Sequence, residues 1–357
     1  MTTLEYLKID NFRGFDSLEI KGLSKINLFV GKNNSGKTSI LEALFLILGM
    51  SNPILPSNIN RFRGLGINTR LGLSKQIGYL FHNLQIENKP SFYVMFDDSS
   101  ERWLDVEAKY EQNEFSNKNS TLSRPEINGI GLNFAAKKRQ NQKKLYKSSL
   151  VFTDNNSVVT PNVPKNYVET LYANFIYSGM NDDANTLMRY AEIVKRKGGD
   201  SILQALKTFD ENIISIQPLN DGIYFNLKNV SELVPSNIMG DGIRRFLNIV
   251  TAVSEKQNAF ILIDEIENGL HYSAYQWLWK SLLSFSTQNN VQLFITTHNI
   301  ETLASLKSVL DETQFENLRD FSKVFAISKT INSGYKTYKY SYEEFKTAIE
   351  NDIELRK

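Results

Sequence analysis

Eight consecutive residues have the composition and spacing of a phosphate-binding loop. Gly31 to Thr38 read G-K-N-N-S-G-K-T, with an apolar run before them at residues 26–30 and another after them at residues 40–48. Glycines let the backbone turn so that successive N–H groups point at phosphates, and the N-terminus of the following helix adds partial positive charge. The pattern predicts a strand, a loop and a helix that bind a nucleotide, with Lys37 on the β and γ phosphates and the Thr38 hydroxyl on Mg²⁺. The alternative is a Gly/Asn-rich surface turn. The predicted nucleotide-binding residues here are Asn33, Asn34, Ser35, Gly36, Lys37, Thr38 and Ser39.

Two consecutive carboxylates follow another apolar run. Residues 260–263 read F-I-L-I and end in Asp264 and Glu265. A carboxylate at the end of a buried strand is costly unless a cation or hydrogen bonds compensate it. We therefore expect Asp264 beside Thr38, binding Mg²⁺ through water, and Glu265 near the water that attacks the γ-phosphate. The alternative is a solvated acidic turn with no chemistry.

A histidine ends a further apolar run. Residues 291–295 are followed by two threonines and His298. A lone histidine is more often structural than functional. At the end of a strand that neighbours the acidic pair, however, His298 would touch the γ-phosphate and sense its presence.

A cluster of small residues precedes the acidic strand. Ser236, Gly240 and Gly242 lie in it, and apolar residues then recur at helical spacing from Phe246 to Val253. A glycine-rich helix start offers free N–H groups to an anion. The competing interpretation is a helix N-cap supplied by Ser236 or Asp241, without a ligand.

The surrounding pattern predicts the elements that position these residues. Apolar runs and alternation predict strands at residues 4–12, 17–20, 25–30, 91–96, 103–110 and 149–153. A helix is expected from Lys37 to near Gly49, then loops and short helices over residues 52–83. Residues 182–210 have helical periodicity that is broken at Gly198 and Gly199. The last three strands suggest an antiparallel sheet inserted into the nucleotide-binding elements.

A polar segment, residues 111–147, carries a run of basic side chains. We expect a solvated loop or helix face there, and a contact with nucleic-acid phosphates is the alternative. The basic residues are Lys137, Lys138, Arg139, Lys143, Lys144 and Lys147.

The composition restricts the class of protein. The 357 residues are 41% hydrophobic, carry a formal net charge of +2 and include three histidines and no cysteine. Thiolate sites, disulfides and multi-histidine metal centres are thereby disfavoured, and nucleic-acid contact would need a local patch. Neither a membrane-length apolar run nor a signal peptide is seen. We expect a cytoplasmic protein without membrane contact.

The order of these motifs resembles that of the ABC-type ATPases, in their RecF/SMC-like branch. It is most similar to the OLD-family AAA ATPases common in bacterial anti-phage systems. The resemblance runs from end to end of the chain, but residues 85–225 match only in a general way. The residues that carry it are 11–15, 31–39, 239–245, 260–271 and 295–298.

The resemblance implies a head-to-tail homodimer that sandwiches two ATP molecules. Ser236, Gly240 and Gly242 would then contact the γ-phosphate held by the partner copy, and residues 268–271 would cross the interface. Arg13 joins the nucleotide-binding residues. Gln85 or Gln76 would couple Mg²⁺ to the inserted segment, and Gln85 is our choice for the metal site.

The resemblance also has departures. The signature, the short glycine-containing motif at residues 239–242, reads M-G-D-G, which does not support coupling to transport. The stretch after His298 is too short for the nuclease domain of OLD nucleases. We expect an α/β fold: a P-loop NTPase of ABC type, with a mixed sheet flanked by helices. Residues 1–84 and 226–357 would form the ATPase domain, and 85–225 an inserted antiparallel sheet with a helical arm.

Three functions compete at this point. The first is an ATP-hydrolysing switch that controls a separate effector, a nuclease or toxin, in anti-phage defence. The second is a RecF/SMC-like DNA clamp gated by ATP in DNA repair. The third, a nuclease in the chain itself, is disfavoured because no second cluster of metal ligands stands outside the ATP site.

Overall fold

The computed structural model describes residues 2–65, 72–110, 127–138, 143–152, 159–179, 182–330 and 334–355. Arg139 of the basic run lies outside these residues. None of the helices in the described ranges is both long and apolar enough to cross a bilayer.

A six-stranded sheet carries the predicted nucleotide-binding strand at its centre. Its order is β16-β15-β3-β14-β13-β9, with every neighbouring pair parallel except β15 and β16. Strands β3, β13 and β14 are buried throughout, which explains their continuous apolar sequences. The strands are β3 (Ile26–Val30), β9 (Ala173–Ile176), β13 (Phe260–Ile263), β14 (Gln292–Thr297), β15 (Ser322–Thr330) and β16 (Gly334–Tyr340).

Helices cover both faces of this sheet. Helix α1 (Lys37–Leu48) packs on one face, where ten of its side chains are buried. The opposite face is covered by α6 (Asp241–Glu255), α7 (Tyr275–Gln288) and α8 (Ile300–Leu310), and α9 (Tyr342–Glu350) closes the edge near β15. The predicted helix from Lys37 to near Gly49 is confirmed.

A seven-stranded antiparallel sheet covers the other side of α1, so that this helix is enclosed between two sheets. The sheet order is β2-β1-β4-β5-β6-β7-β8. Its strands are β1 (Leu4–Phe12), β2 (Phe15–Lys21), β4 (Ser91–Phe96), β5 (Glu101–Tyr110), β6 (Ile127–Lys137), β7 (Lys144–Phe152) and β8 (Val159–Asn162). Short helices α2 (Leu55–Phe62) and α3 (Leu73–Gly78) fill the connection after α1, as expected for residues 52–83.

The antiparallel strands do not form a separate insertion. Strand β4 pairs directly with β1, so the sheet begins with the first residues of the chain. At the other end of the segment, β9 joins the parallel sheet beside β13. The domain boundary that we expected at residue 85 therefore divides a single sheet. The hydropathy pattern did not show that β1 and β4 pair.

The basic run is also placed differently from our expectation of a loop or helix face. Lys137 ends β6 and Lys144 begins β7, and the two strands pair over residues 129–136 and 144–151. Ile130, Leu132 and Phe134 are buried in β6. Because basic residues lie where β6 ends and β7 begins, the alternation of buried and other residues in β6 was not recognised in the sequence.

A helical unit follows the parallel edge strand. Helices α4 (Asp183–Lys195) and α5 (Gly199–Phe209) confirm the predicted break at Gly198. A small antiparallel sheet packs with them, formed by β10 (Ile213–Leu219), β11 (Gly222–Leu227) and β12 (Val234–Pro235). Both helices contact α6, so this unit is part of the core around the parallel sheet.

A buried ion cluster fixes α1 to its surroundings. The carboxylate of Glu42 is fully buried and accepts hydrogen bonds from Arg13 (3.0 and 3.2 Å) and from Arg63 (2.7 and 3.1 Å). Arg13 follows β1 and Arg63 follows α2, so one acidic residue joins three elements. Arg63 also donates to the Ser39 hydroxyl at 3.3 Å.

We expect Glu42→Gln to lower the free energy of unfolding by about 3 kcal/mol, since losing one partner leaves buried charge uncompensated. Urea denaturation monitored by circular dichroism measures the change. Glu192→Gln is the control: its pair with Lys195 is solvent-exposed, so its loss should change the free energy of unfolding far less. Equal effects of the two substitutions would contradict the structural role of Glu42.

Candidate nucleotide-binding site

The loop between β3 and α1 has the backbone shape that its glycines allow. Gly36 has φ 89° and Asn34 has φ 63°, both in the left-handed region. A Cβ on Gly36 would lie 2.5 Å from the ring of Phe15, so only glycine fits. The Nζ of Lys37 donates to the carbonyl oxygens of Gly31 (2.8 Å) and Lys32 (2.9 Å), which holds the loop around the lysine.

A cavity of about 800 Å³ opens over this loop, and a nucleotide fits such a volume. It gathers residues that are far apart in the sequence. Among those that line it are Arg13, Asn33, Asn34, Ser35, Gly36, Lys37, Thr38, Ser39, Arg63, Glu265, His298 and Tyr335.

Asp264 lies where the sequence places it, beside Thr38. Its Oδ1 accepts hydrogen bonds from the hydroxyls of Thr38 (2.9 Å) and Thr296 (2.8 Å), and its Oδ2 accepts one from Ser178 at 3.1 Å. Asp264 is only 2% exposed. Hydroxyl and carboxylate oxygens are the ligands that Mg²⁺ prefers, usually with substrate phosphates and water as the others. The donor set therefore fits the expected metal, and the described residues include no group of three or more acidic, histidine or cysteine side chains that would form a different metal centre.

Glu265 lines the same cavity on a strained backbone. Its φ is 45°, and its N–H donates to the Thr296 hydroxyl at 2.8 Å. Its side chain is 39% exposed toward the cavity. Burial, followed by the adjacent charge of Asp264, raises the pKa of Glu265 above the usual glutamate value.

His298 is held at the end of β14 by a second glutamate. Its Nδ1 lies 3.0 Å from Oε1 of Glu267 and 3.9 Å from Oε1 of Glu265. The imidazole is about half exposed and lines the cavity. The ring therefore lies beside both carboxylates and lines the same cavity as the loop.

A buried arginine connects α6 to the end of β13. Arg245 donates to the backbone carbonyls of Asp264 (2.7 Å) and Tyr177 (3.1 Å). Burial lowers the pKa of Arg245 to about 10, although nearby carboxylates oppose the shift. The helix that begins at the signature glycines is thus tied to the strand that bears the acidic pair.

The signature residues lie apart from this cavity in the single chain. Gly240 caps α6 and is exposed, with open space where a side chain would be. Ser236 is partly exposed, and a Cβ on Gly242 would approach the carbonyl oxygen of Gly269 to 3.3 Å. Residues 240–242 and 269 are therefore neighbours on one surface.

The two candidate glutamines have different settings. Gln85 is exposed, one residue beyond Leu84 of the cavity wall, and its Oε1 accepts a hydrogen bond from Asn88. Gln76 is 4% exposed and lies in α3, beside a small interior space lined by Asn60 and Ile77. Neither glutamine lines the nucleotide cavity.

Several residues of this site belong to no motif that we recognised in the sequence. Arg63 and Glu42 were not predicted because nothing in the local pattern marks their pairing across α1 and α2. Ser178 and Arg245 reach Asp264 only through the strand order. Glu267 could have been predicted, since it is a third acidic residue shortly after a buried strand.

Comparison with known proteins agrees with this geometry. Residues 26–304 match a family model described as "AAA domain, putative AbiEii toxin, Type IV TA system". A Helicobacter pylori protein named ATP/GTP phosphatase is 26% identical over 87% of this chain and 90% of its own length. The Rad50 ATPase of Pyrococcus abyssi, a DNA double-strand break repair protein, is 32% identical over 27% of this chain and 10% of its own.

Shorter and more distant similarities point the same way. The DNA replication and repair protein RecF of Lysinibacillus sphaericus is 36% identical over 12% of each chain. A crystal structure of an SMC head bound to the C-terminal winged-helix domain of ScpA has a TM-score of 0.50 at 13% identity, covering 95% of this chain and 98% of its own. The ABC-type fold expected from the sequence is confirmed. The chain belongs to the family of AAA domains whose model spans residues 26–304, and it is an ATPase with an SMC-head-like fold.

Proposed function

We propose that the protein is a switch in which two copies close around ATP and reopen after hydrolysis. The observation that supports the proposal is that the predicted site residues lie in two separate places on one chain. Lys37, Thr38 and Glu265 line one cavity, and Asp264 is hydrogen-bonded to Thr38 behind its wall. Ser236, Gly240 and Gly242 lie outside the cavity, at an accessible helix start. A helix N-terminus with free N–H groups binds phosphate oxygens, so a second copy would complete the site.

The residues of the cavity have distinct roles in this proposal. The loop N–H groups and Lys37 hold the phosphates, and Arg13 lies on the cavity wall beside them. Thr38 and Asp264 would hold Mg²⁺, which supplies charge neutralisation to the β and γ phosphates. Glu265 orients the attacking water and accepts its proton, and His298 contacts the γ-phosphate.

The surface around the signature supports closure by a second copy. Ile238 is 74% exposed and lies two residues before Gly240, and Tyr272 is 65% exposed and lies three residues after Gly269. Exposed apolar side chains that form one patch mark association surfaces, and a second copy would bury these two. We place the head-to-tail dimer interface here.

The output of the switch would be control of a separate effector, a nuclease or toxin, in anti-phage defence. Support comes from the family description, which names a toxin of a type IV TA system. The continuous sheet that begins with β1 would transmit closure, because Arg13 joins the end of β1 to Glu42 of α1, one turn after Thr38. We expect this function in the cytoplasm.

A nucleic-acid clamp is the second candidate, and one observation favours it. Lys143 stands 4.0 Å over the ring of Trp103, and Lys144 stands 5.3 Å over that of Tyr146. Basic and aromatic side chains together suit a nucleic-acid strand. RecF and Rad50 are named for DNA replication or repair.

Lys37→Ala should weaken ATP binding about 100-fold, since it removes roughly 3 kcal/mol of charged hydrogen bonding to phosphate. Isothermal titration with ATP and Mg²⁺ measures the affinity. Lys195→Ala, on the exposed face of α4, is the matched control and should bind as the unmodified protein does. Unchanged binding by the Lys37 variant would remove the nucleotide site from this loop.

Glu265→Gln should retain ATP binding, lower turnover by about 100-fold or more, and accumulate as a dimer in the presence of ATP. Light scattering coupled to size exclusion gives the mass. Adding Lys37→Ala to the same chain should return it to a monomer, because the bound nucleotide is then lost. A monomeric Glu265→Gln protein at saturating ATP is incompatible with the sandwich.

Charge reversal separates the second candidate from the first. If the basic run binds DNA, glutamate at Lys137, Lys138, Lys143 and Lys144 should lower affinity by at least about tenfold and flatten its dependence on salt. Fluorescence anisotropy with a labelled duplex and a labelled single strand at several salt concentrations measures both. Equal binding before and after reversal would eliminate the basic run as a nucleic-acid surface.

A further inference from the structure

Glu267 is a buried carboxylate at the edge of the cavity with no role in the chemistry described above. Its side chain is 7% exposed. Its Oε1 accepts the backbone N–H of His298 at 2.9 Å and lies 3.0 Å from Nδ1 of the same residue. Its Oε2 is buried without a hydrogen-bond partner among the described residues. A carboxylate buried with one oxygen unsatisfied is costly, so Glu267 is a candidate for a role beyond packing.

We propose that Glu267 is a positioning residue that orients His298 toward the γ-phosphate. The inference rests on the proposed contact between His298 and that phosphate. One oxygen of Glu267 meets both the main chain and the ring of His298, so it fixes the ring relative to the end of β14. Because Nδ1 faces the carboxylate of Glu267, Nε2 is the ring nitrogen that points away from it.

The same contact keeps His298 away from the proposed base. Glu265 lies 3.9 Å from Nδ1, which is too long for a hydrogen bond. Without Glu267, the imidazole would turn to the neighbouring Glu265 and occupy the oxygen that should accept a proton from water. Glu267 therefore separates the phosphate-sensing group from the base.

The first test observes the contact without nucleotide or turnover. The full chain is labelled with ring ¹⁵N-histidine, and its three histidines are resolved by nitrogen NMR, with His298→Gln identifying the signal. Glu267→Met removes both acceptor oxygens at similar length and should shift the Nδ1 resonance of His298. Glu267→Gln keeps one acceptor and should shift it less. No shift in Glu267→Met would overturn the contact.

The second test asks whether the contact matters for turnover. Glu267→Met should lower kcat about 10- to 100-fold, the range typical of residues that orient a functional histidine, with affinity for a non-hydrolysable ATP analogue unchanged within about threefold. Glu267→Gln should be intermediate. Glu301→Gln, an exposed glutamate in the first turn of α8, is the control and should retain full kcat.

The outcomes separate this inference from the function on which it rests. An unaltered kcat in Glu267→Met, with the NMR shift present, would overturn the positioning role. So would a matched loss of analogue affinity and kcat, because that result indicates general disruption of the pocket. Failure of the switch would be seen instead as the absence of an ATP-dependent dimer in Glu265→Gln, while the NMR result would be unaffected.

Discussion

The hydrogen bond between Thr38 and Asp264 joins residues that are 226 positions apart, and the site depends on it. It forms because β3 and β13 lie on either side of β14 in a parallel sheet, so that their carboxyl ends share one edge. Thr296, at the end of β14, donates to the same carboxylate oxygen. The phosphate loop and the acidic pair therefore meet through strand order, and the one buried strand between β3 and β13, β14, fixes the distance.

Helix α1 follows a polar loop and packs within an apolar core. It is enclosed between two sheets, yet its first turn must present Lys37 and Thr38 to the cavity. Glu42 solves part of this problem, since it lies one turn further along and pairs with two arginines from different elements. A carboxylate in this position would be costly alone. Paired, it fixes the rotation of α1 about its axis and with it the direction of the loop.

Local patterns were sufficient to predict the elements that hold the site. Continuous apolar runs predicted β3, β13 and β14, because strands buried on both faces have no polar side to reveal. The sequence was much less informative on the antiparallel sheet. Basic residues near the connection of β6 and β7 resemble a solvated loop, and only the pairing of β4 with β1 shows that the sheet begins at residue 4. Contacts such as Arg63 with Glu42 depend on how α2 packs, which no local pattern specifies.

Hydrogen bonds connect the helix that begins at the signature, residues 239–242, to the strand that bears the acidic pair. Arg245 lies one turn after Gly240 in α6, and its guanidinium bonds the carbonyls of Asp264 and Tyr177. The residue after Tyr177, Ser178, donates to Asp264 and accepts a hydrogen bond from Asn268 through its carbonyl. A displacement of the exposed start of α6 would therefore move both the backbone and a side-chain partner of Asp264. These hydrogen bonds form a continuous path from α6 through Asp264 to Thr38.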